Sequence, residues 1–258
     1  MKNKEVINHI VNWLKSYAQD NKMKGFVVGV SGGIDSALTS TLCAKTGLPT
    51  LCLEMPIKQQ QNQLDRAQDH INWLRKQHAN VAEKVVLLYP VFDALSKAVE
   101  ADEQKNEDLL SLTNTRARLR MVTLYYYAAC KRYLVAGTGN KVEDFGVGFY
   151  TKYGDGGVDI SPLGDLLKTE VWQLGKDLSI LQTIIDAPPT DGLWEDGRTD
   201  KDQLGGLTYE EMERAMDLDD KGAIAIGSDQ DLLKKYHEIR KLNLHKMNPI
   251  PIFNKDNN

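Results

Sequence analysis

Six residues, Ser31-Gly32-Gly33-Ile34-Asp35-Ser36, stand where a short apolar run ends and a helical pattern begins. Glycines let the backbone approach a ligand closely, and serine hydroxyls with the free N–H groups of a first helical turn attract an anion. A loop of this kind is suited to cradling a phosphate chain, with Gly29 and Val30 leading into it. It lacks the Gly-Lys-Ser/Thr ending of a Walker loop, and with it the lysine that reaches the β and γ phosphates. Asp35 adds a carboxylate at the cradle. Mg²⁺ commonly takes one or two protein carboxylates and completes its shell with phosphate and water oxygens, so Asp35 could hold it and a second carboxylate is expected. Glu143, at the end of Gly137-Thr138-Gly139-Asn140-Lys141-Val142-Glu143, follows another predicted strand and could face Asp35. Taken alone, Glu143 reads first as a surface acid in a loop.

These residues need a scaffold, and the hydrophobic periodicity outlines one. Val6, Ile7, Ile10, Val11, Leu14 and Tyr17 recur at helical spacing. The run from Phe26 to Val30 then reads as a buried parallel strand, Ala37 to Lys45 as a helix and Thr50 to Met55 as a second strand. A polar helix from about Gln60 to Gln77 leads to a strand from Val85 to Tyr89. A long helix from Thr113 to Arg132, a strand from Tyr133 to Ala136 and a short fifth strand at Val158 to Ile160 follow. The alternation predicts an α/β fold, a doubly wound parallel sheet of about five strands with helices on both faces, and a helical C-terminal part. There Ser228 is the expected N-cap of a helix running to about Asn243. Ligands of such sheets gather at the carboxyl ends of the strands. The charged stretch from Glu100 to Asp108 reads as a solvated loop or helix end, and the turn-rich stretch from Ala187 to Gly206 as a lid.

Length and charge narrow the classes. A chain of 258 residues, 41% hydrophobic and 26% charged, fits one large domain over residues 1–258. The 36 acidic against 32 basic residues leave no broad basic surface for nucleic acid. No apolar run approaches the roughly 20 residues of a membrane span, and the start is amphipathic, which points to a cytoplasmic protein with no membrane partner. Cys43, Cys52 and Cys130 form no C-x-x-C and read as inert core thiols. His9, His70, His78 and His237 have no metal-ligand spacing and read as surface residues. Tyr125, Tyr126 and Tyr127 are consecutive, so their rings diverge around a helix and suit core or dimer packing better than base stacking.

The loop S-G-G-x-D-S resembles the signature of ATP pyrophosphatases, which split ATP between the α and β phosphates. The run from Phe149 through Lys152-Tyr153-Gly154-Asp155-Gly156-Gly157-Val158-Asp159 to Val171 further resembles the ammonia-dependent NAD synthetases, and the match extends from about Gly25 to His245-Lys246. The resemblance implies an adenine nucleotide alpha hydrolase-like fold and a ligase whose substrates are deamido-NAD, ATP and ammonia. The nicotinate carboxylate attacks the α phosphate, pyrophosphate leaves, and ammonia displaces AMP from the acyl adenylate. It assigns Gly29, Val30, Ser31, Gly32, Gly33, Ile34, Asp35 and Ser36, with Thr138, Lys168 and Thr190, to ATP. Asp35 and Glu143 are assigned to Mg²⁺, and Arg118, Lys152, Asp159, His245 and Lys246 to deamido-NAD. Asp35 and Lys168 are the implied catalytic pair, Lys168 supplying the positive charge that the loop lacks.

Some of these assignments leave alternatives. Arg116 and Arg120 flank Arg118, and one of the three could merely line a helix face. The segment between Glu143 and Lys152 is one residue longer than the family pattern, which makes Asp144 the alternative metal ligand. Members of the family are commonly homodimers that build the dinucleotide site across the interface. The synthetase domain takes up the 258 residues, leaving none for a glutaminase domain, and there is no Cys-His arrangement to hydrolyse glutamine, so free ammonia is the expected nitrogen source. Competing readings keep the ATP chemistry with another acceptor, as in GMP synthetase or tRNA-modifying enzymes, or keep only nucleotide binding without catalysis.

Overall fold

Four short β-branched runs form the centre of the molecule. In the computed structural model, which describes residues 2–190, 200–222 and 225–255, they are β1 (Gly25–Gly29), β2 (Thr50–Glu54), β3 (Val81–Val85) and β4 (Tyr133–Val135). They pair in parallel in the order β3-β2-β1-β4. The chain builds outward from β1 to β3 and then crosses back to lay β4 on the other side of β1. The connections leaving β1 and β4 therefore diverge, and a crevice opens between them at the carboxyl ends, the general ligand position in open α/β sheets.

Strand β1 is buried on both faces, and its alternation sorts two cores. Phe26 and Val28 meet Leu14, Leu38, Leu42, Val171 and Leu174. These come from α1 (Asn3–Asp20), α2 (Ile34–Lys45) and α6 (Lys168–Asp177). Val27, Leu51 and Leu53 point the other way, to Phe92, Leu112 and Ala128 on α4 (Tyr89–Ala98) and α5 (Asn106–Lys131). Helix α3 (Gln61–Gln77) packs Ala67, Ile71 and Leu74 against Val30 and Cys52. Burying one such Leu or Phe side chain is worth about 1.5–3 kcal/mol, so these contacts hold the helices to the sheet far more firmly than helix propensity does.

After β4 the chain makes a seven-residue π-helical turn, Lys141–Val147. Two short helices, α7 (Gln182–Ile185) and α8 (Asp200–Gln203), precede α9 (Tyr209–Asp220) and α10 (Ser228–Met247). Val142 and Val147 of the turn share a separate apolar cluster with Met212, Met216 and Tyr236. The C-terminal helices are thereby anchored to the turn rather than to the sheet.

The structure corrects several expectations. Among the described residues the sheet has four strands, not five. Val158 to Ile160 contributes only a single parallel bridge between Ile160 and Ala136, because Gly156-Gly157 precedes it and Pro162 follows it closely. The third strand is the half-polar Val81–Val85, not the apolar Val85 to Tyr89. As an edge strand it exposes Lys84 and Val85, whereas Leu88 packs with Phe92 at the start of α4, whose first turn contains Pro90. A short apolar run cannot reveal by itself which of the two it serves. Helix α5 begins at Asn106, so the end of the charged stretch is its first turn. Gly227 takes the cap position before Ser228, and α10 continues to Met247. His70 is fully buried rather than superficial, and Cys130 is exposed whereas Cys43 and Cys52 are buried. The expected lid falls partly on residues 191–199, outside the described residues. Among the described residues no helix is long and apolar enough to cross a membrane.

Candidate functional site

The phosphate-type loop is held in shape by its own polar atoms. Ser36 Oγ accepts from the Ser31 N–H at 3.1 Å and donates to Gly33 O at 3.0 Å, while the Gly33 N–H donates to Ser31 Oγ at 3.3 Å. Gly32 has φ +82°, and a Cβ there would come within 2.4 Å of Gln63 O on α3, so both conformation and space demand glycine. Arg66 Nε donates to Gly32 O at 3.2 Å, tying the loop to α3 from outside.

Asp35, in the first turn of α2, meets the element after β4 across the crevice. Asn140 Nδ2 donates to Asp35 Oδ1 at 3.1 Å, and Asn140 Oδ1 accepts from the N–H groups of Val142 and Glu143 at 3.1 and 3.2 Å. One buried amide therefore caps the π-helical turn and fixes its distance from Asp35. The turn carries Glu143 near its start and leads into the Phe149 to Lys152 run. Its final carbonyls are satisfied by α10: Asn243 Nδ2 donates to Val147 O at 2.9 Å, and Arg240 Nη1 donates to Phe145 O and Gly146 O.

Lys168 stands between the two acids. Its Nζ is 2.5 Å from Asp35 Oδ2 and 2.9 Å from Glu143 Oε1, and the residue is 3% exposed. Tyr209 Oη lies 2.6 Å from Glu143 Oε1 and 2.8 Å from Asp200 Oδ2, its single hydroxyl proton lying between two carboxylates, and the tyrosine ring lies 4.9 Å from the ammonium. Burial raises the Asp35 carboxyl above its ordinary range against the pull of Lys168. In Glu143 the opposite balance holds: burial is outweighed by Lys168 and the Tyr209 hydroxyl, and the carboxyl lies low. Burial works against the Lys168 ammonium, yet Asp35 and Glu143 keep its pKa above the ordinary lysine value. With both acids ionised the triad carries one net negative charge in a nearly closed site. Hard oxygen donors converging on one cation in this way also fit Mg²⁺.

Asp144 also lines the cavity over this cluster, but its carboxylate lies against Gly139, and the ion pairs of Lys168 go to Asp35 and Glu143. A Cβ on Gly139 would lie 2.0 Å from Asp144 Oδ2, and burial, with Glu143 and Asp155 nearby, holds its carboxyl well above the usual carboxylate range. The ionised acid that joins Asp35 at Lys168 is Glu143.

A cavity of about 270 Å³ opens over this cluster, near the lower end of the range for small-molecule sites. Gly29, Val30, Ser31, Gly33, Ile34, Asp35, Ser36, Thr138, Glu143, Lys168 and Thr190 all line it. Gly32 packs behind the loop. The other expected residues stand outside. Arg118 Nε donates to Lys152 O at 3.3 Å, Lys152 Nζ to His245 O at 3.2 Å and Lys246 Nζ to Tyr150 O at 2.8 Å, so these four gather on one rim where α10 meets the loop after the π-helical turn. Asp159 is apart from them and accepts from Tyr125 O–H at 3.0 Å and the Val135 N–H at 2.8 Å.

The three arginines of α5 separate clearly. Arg116 is buried with its guanidinium 5.1 Å from the Phe92 ring centre, Arg118 is exposed, and Arg120 lines the cavity and donates to Met55 O at 3.2 Å. Asp144, the alternative metal ligand of the sequence reading, lines the cavity too. Arg120, Glu54, Asp155, Asp200 and the buried Tyr209 are further cavity-side residues that sequence reasoning did not select. Only the flanking of Arg118 by Arg120 signalled any of them.

Comparison with known proteins identifies the family. The sequence profile of the NAD synthase family matches residues 6–249. The NH(3)-dependent NAD(+) synthetase of Carboxydothermus hydrogenoformans is 39% identical over 211 residues, 81% of this chain and 83% of that protein. That of Saccharolobus solfataricus is 37% identical over 256 residues, 96% and 88% of the two chains. Among solved structures, an NMN synthetase from Francisella tularensis superposes with TM-score 0.86 at 34% identity, covering 98% of this chain and 99% of the other. An NH3-dependent NAD synthetase from Campylobacter jejuni gives 0.79 at 26% identity, covering 98% and 100%. With the profile spanning nearly the whole sequence and relatives above 30% identity over most of both chains, this chain belongs to the NAD synthase family.

Proposed function

We propose that the chain makes NAD from deamido-NAD, ATP and free ammonia as a single synthetase domain. The observation that carries this reading is the convergence of Asp35, Glu143 and Lys168 beside the Ser31 to Ser36 loop in one cavity. In the proposed sequence the loop's N–H groups and hydroxyls hold the β and γ phosphates. An oxygen of the nicotinate carboxylate bonds to the α phosphorus, the α–β phosphoanhydride bond breaks and pyrophosphate leaves. Ammonia then bonds to the acyl carbon, AMP departs with the bonding pair and the amide loses a proton to the site or to water. Lys168 stabilises the charge that develops on the departing phosphate, an electrostatic role suited to a buried, fixed ammonium. Asp35 and Glu143 are the residues that would hold Mg²⁺, which supplies further charge neutralisation on the phosphates when bound.

Arg118, Lys152, His245 and Lys246 form the basic rim proposed to meet the dinucleotide, with Asp159 taking a neighbouring donor. Their place outside the cavity is consistent with an acceptor that spans the rim. The proposed assembly is a homodimer. Large apolar side chains stay exposed on the edge strand β3, the turn after it and the adjoining α4 and α5, among them Val85, Leu87, Val91, Val99 and Val122. That concentration on one side of the sheet fits a protein interface.

A second reading changes only the acceptor. The likeness to the Francisella tularensis NMN synthetase is the stronger of the two structural matches above, and it favours testing a mononucleotide acid beside the dinucleotide. Purified protein supplied with Mg-ATP and ammonium is offered deamido-NAD or nicotinate mononucleotide, and NAD, NMN, AMP and pyrophosphate are measured. NAD with equimolar AMP and pyrophosphate is the expected result. Faster amidation of the mononucleotide supports the second reading, and no pyrophosphate with either acceptor rejects both.

A further inference from the structure

Glu54 ends β2 at the carboxyl edge of the sheet, next to the strand that carries the phosphate loop. The Val30 N–H donates to Leu53 O at 2.9 Å, which sets Glu54 beside Val30, one residue before Ser31. By strand alternation its side chain leaves on the face of Cys52, toward Val30 and Ala67 under α3. The residue is 5% exposed and lines the same cavity as the loop, with Met55, Gln59, Gln63 and Leu64. Its Oε1 is buried and has no hydrogen-bond partner among the described residues.

Such a group is costly to the fold. A buried acceptor without a donor costs about 1–3 kcal/mol, more if charged. Burial, and Glu83 on the adjacent strand, also push the Glu54 carboxyl above its ordinary range. A structural carboxylate would be expected to have found a donor here. What Glu54 lacks is a hydrogen-bond donor arriving from the cavity. The triphosphate offers none and repels it. The nucleoside offers ribose hydroxyls and the exocyclic amino group of adenine. Met55 and Leu64 beside it provide an apolar wall of the kind a nucleoside needs. An acid at the end of the strand after a glycine-rich phosphate loop is also where dinucleotide-binding folds take a ribose hydroxyl.

We propose that Glu54 is a specificity-determining residue of the ATP site, accepting a hydrogen bond from a donor on the nucleoside. The inference rests on the reading that ATP occupies this cavity. The test is calorimetric binding of ATP, 2′-deoxy-ATP, 3′-deoxy-ATP and purine riboside triphosphate, which lacks the amino group, to the full chain and to Glu54→Leu and Glu54→Gln. Wild type is expected to prefer ATP over at least one analogue by roughly 10- to 100-fold in Kd, the range of a hydrogen bond to a charged or strongly polar acceptor. Loss of preference for the hydroxyl or for the amino group identifies which donor is read. In Glu54→Leu that preference disappears while affinity for the discriminating analogue is unchanged, and in Glu54→Gln, whose carbonyl still accepts, part of it returns. The unliganded Glu54→Leu protein is expected to melt no lower than wild type, since an unsatisfied acceptor has been removed. Equal discrimination in wild type and Glu54→Leu overturns the proposal, as does a lowered melting temperature with binding preferences intact. Failure to bind ATP at all overturns both this inference and the functional reading. ATP binding with discrimination but no pyrophosphate release with either acceptor sinks only the functional reading.

Discussion

Lys168 sits at 3% exposure between two acids that come from opposite sides of the crevice. Its sequence context, a lysine opening a helix, reads equally well as a surface residue, and only the resemblance to the synthetases singled it out. The structure adds a physical consequence. With the ammonium removed, Asp35 and Glu143 are left facing each other in a desolvated site. Lys168→Met is therefore expected to lose about 3–5 kcal/mol of stability, the usual result of breaking a buried ion pair from one side. Turnover should fall by about 10²–10³, as for removal of one electrostatic donor at a reacting centre. The stability defect should shrink at pH 5 relative to pH 8, because the unneutralised carboxyls titrate upward and become protonated. Denaturant unfolding at both pH values and pyrophosphate release check this, and wild-type turnover in the variant would remove Lys168 from the mechanism.

At the scale of elements, α2 carries Asp35 and is braced against α3 by a buried polar contact. His70 Nε2 lies 2.9 Å from Ser40 Oγ, and its ring stacks on Trp73 at 5.5 Å. Burial lowers the imidazole pKa to about 4, a contact to the Ala37 backbone opposing the shift only partly. The unfolded chain takes up this proton near pH 6.5 and the folded chain near 4, so the unfolded state binds more protons between those values. The stabilisation is complete above pH 6.5 and is lost as pH falls toward 4, by on the order of 3 kcal/mol. Denaturation midpoints between pH 7 and 4.5 should fall less steeply in His70→Gln than in wild type, and parallel slopes would refute the assignment. The sequence showed the helical period of α3 but not that its histidine faces inward. That orientation follows from which stripe of α3 the sheet demands.

The π-helical turn is an element that periodicity missed. Its seven residues, Lys141–Val147, are too few for a 3.6-residue pattern to register, and its stability comes from Asn140 at one end and α10 at the other. Both supports are remote or capping contacts.

For the whole molecule, the order β3-β2-β1-β4 puts the loops after β1 and β4 on either side of one crevice. Residues 35 and 143 thus face each other across it, with Lys168 between them. The proposed dimer belongs to this scale. Light scattering of the wild type is expected to give twice the chain mass, and Leu87→Lys combined with Val122→Lys, on residues 69% and 59% exposed, should give monomers with melting temperature little changed. A monomeric wild type would overturn the assembly.

The sequence by itself determined the kind of sheet, the glycine-rich strand-to-helix loop and the family, because these rest on local pattern. Glycines at a strand-to-helix turn, a run buried on both faces and a long shared segment all act within a few residues of one another. It left open the edge strand at Val81, the burial of His70, the choice between Glu143 and Asp144 as partner of Asp35, and the stranded acceptor of Glu54. These depend on which side chains distant segments bring together in a dry interior. There the loss of water makes an ion pair strong and an unpaired carboxylate costly, and neither effect has a period that a sequence can display.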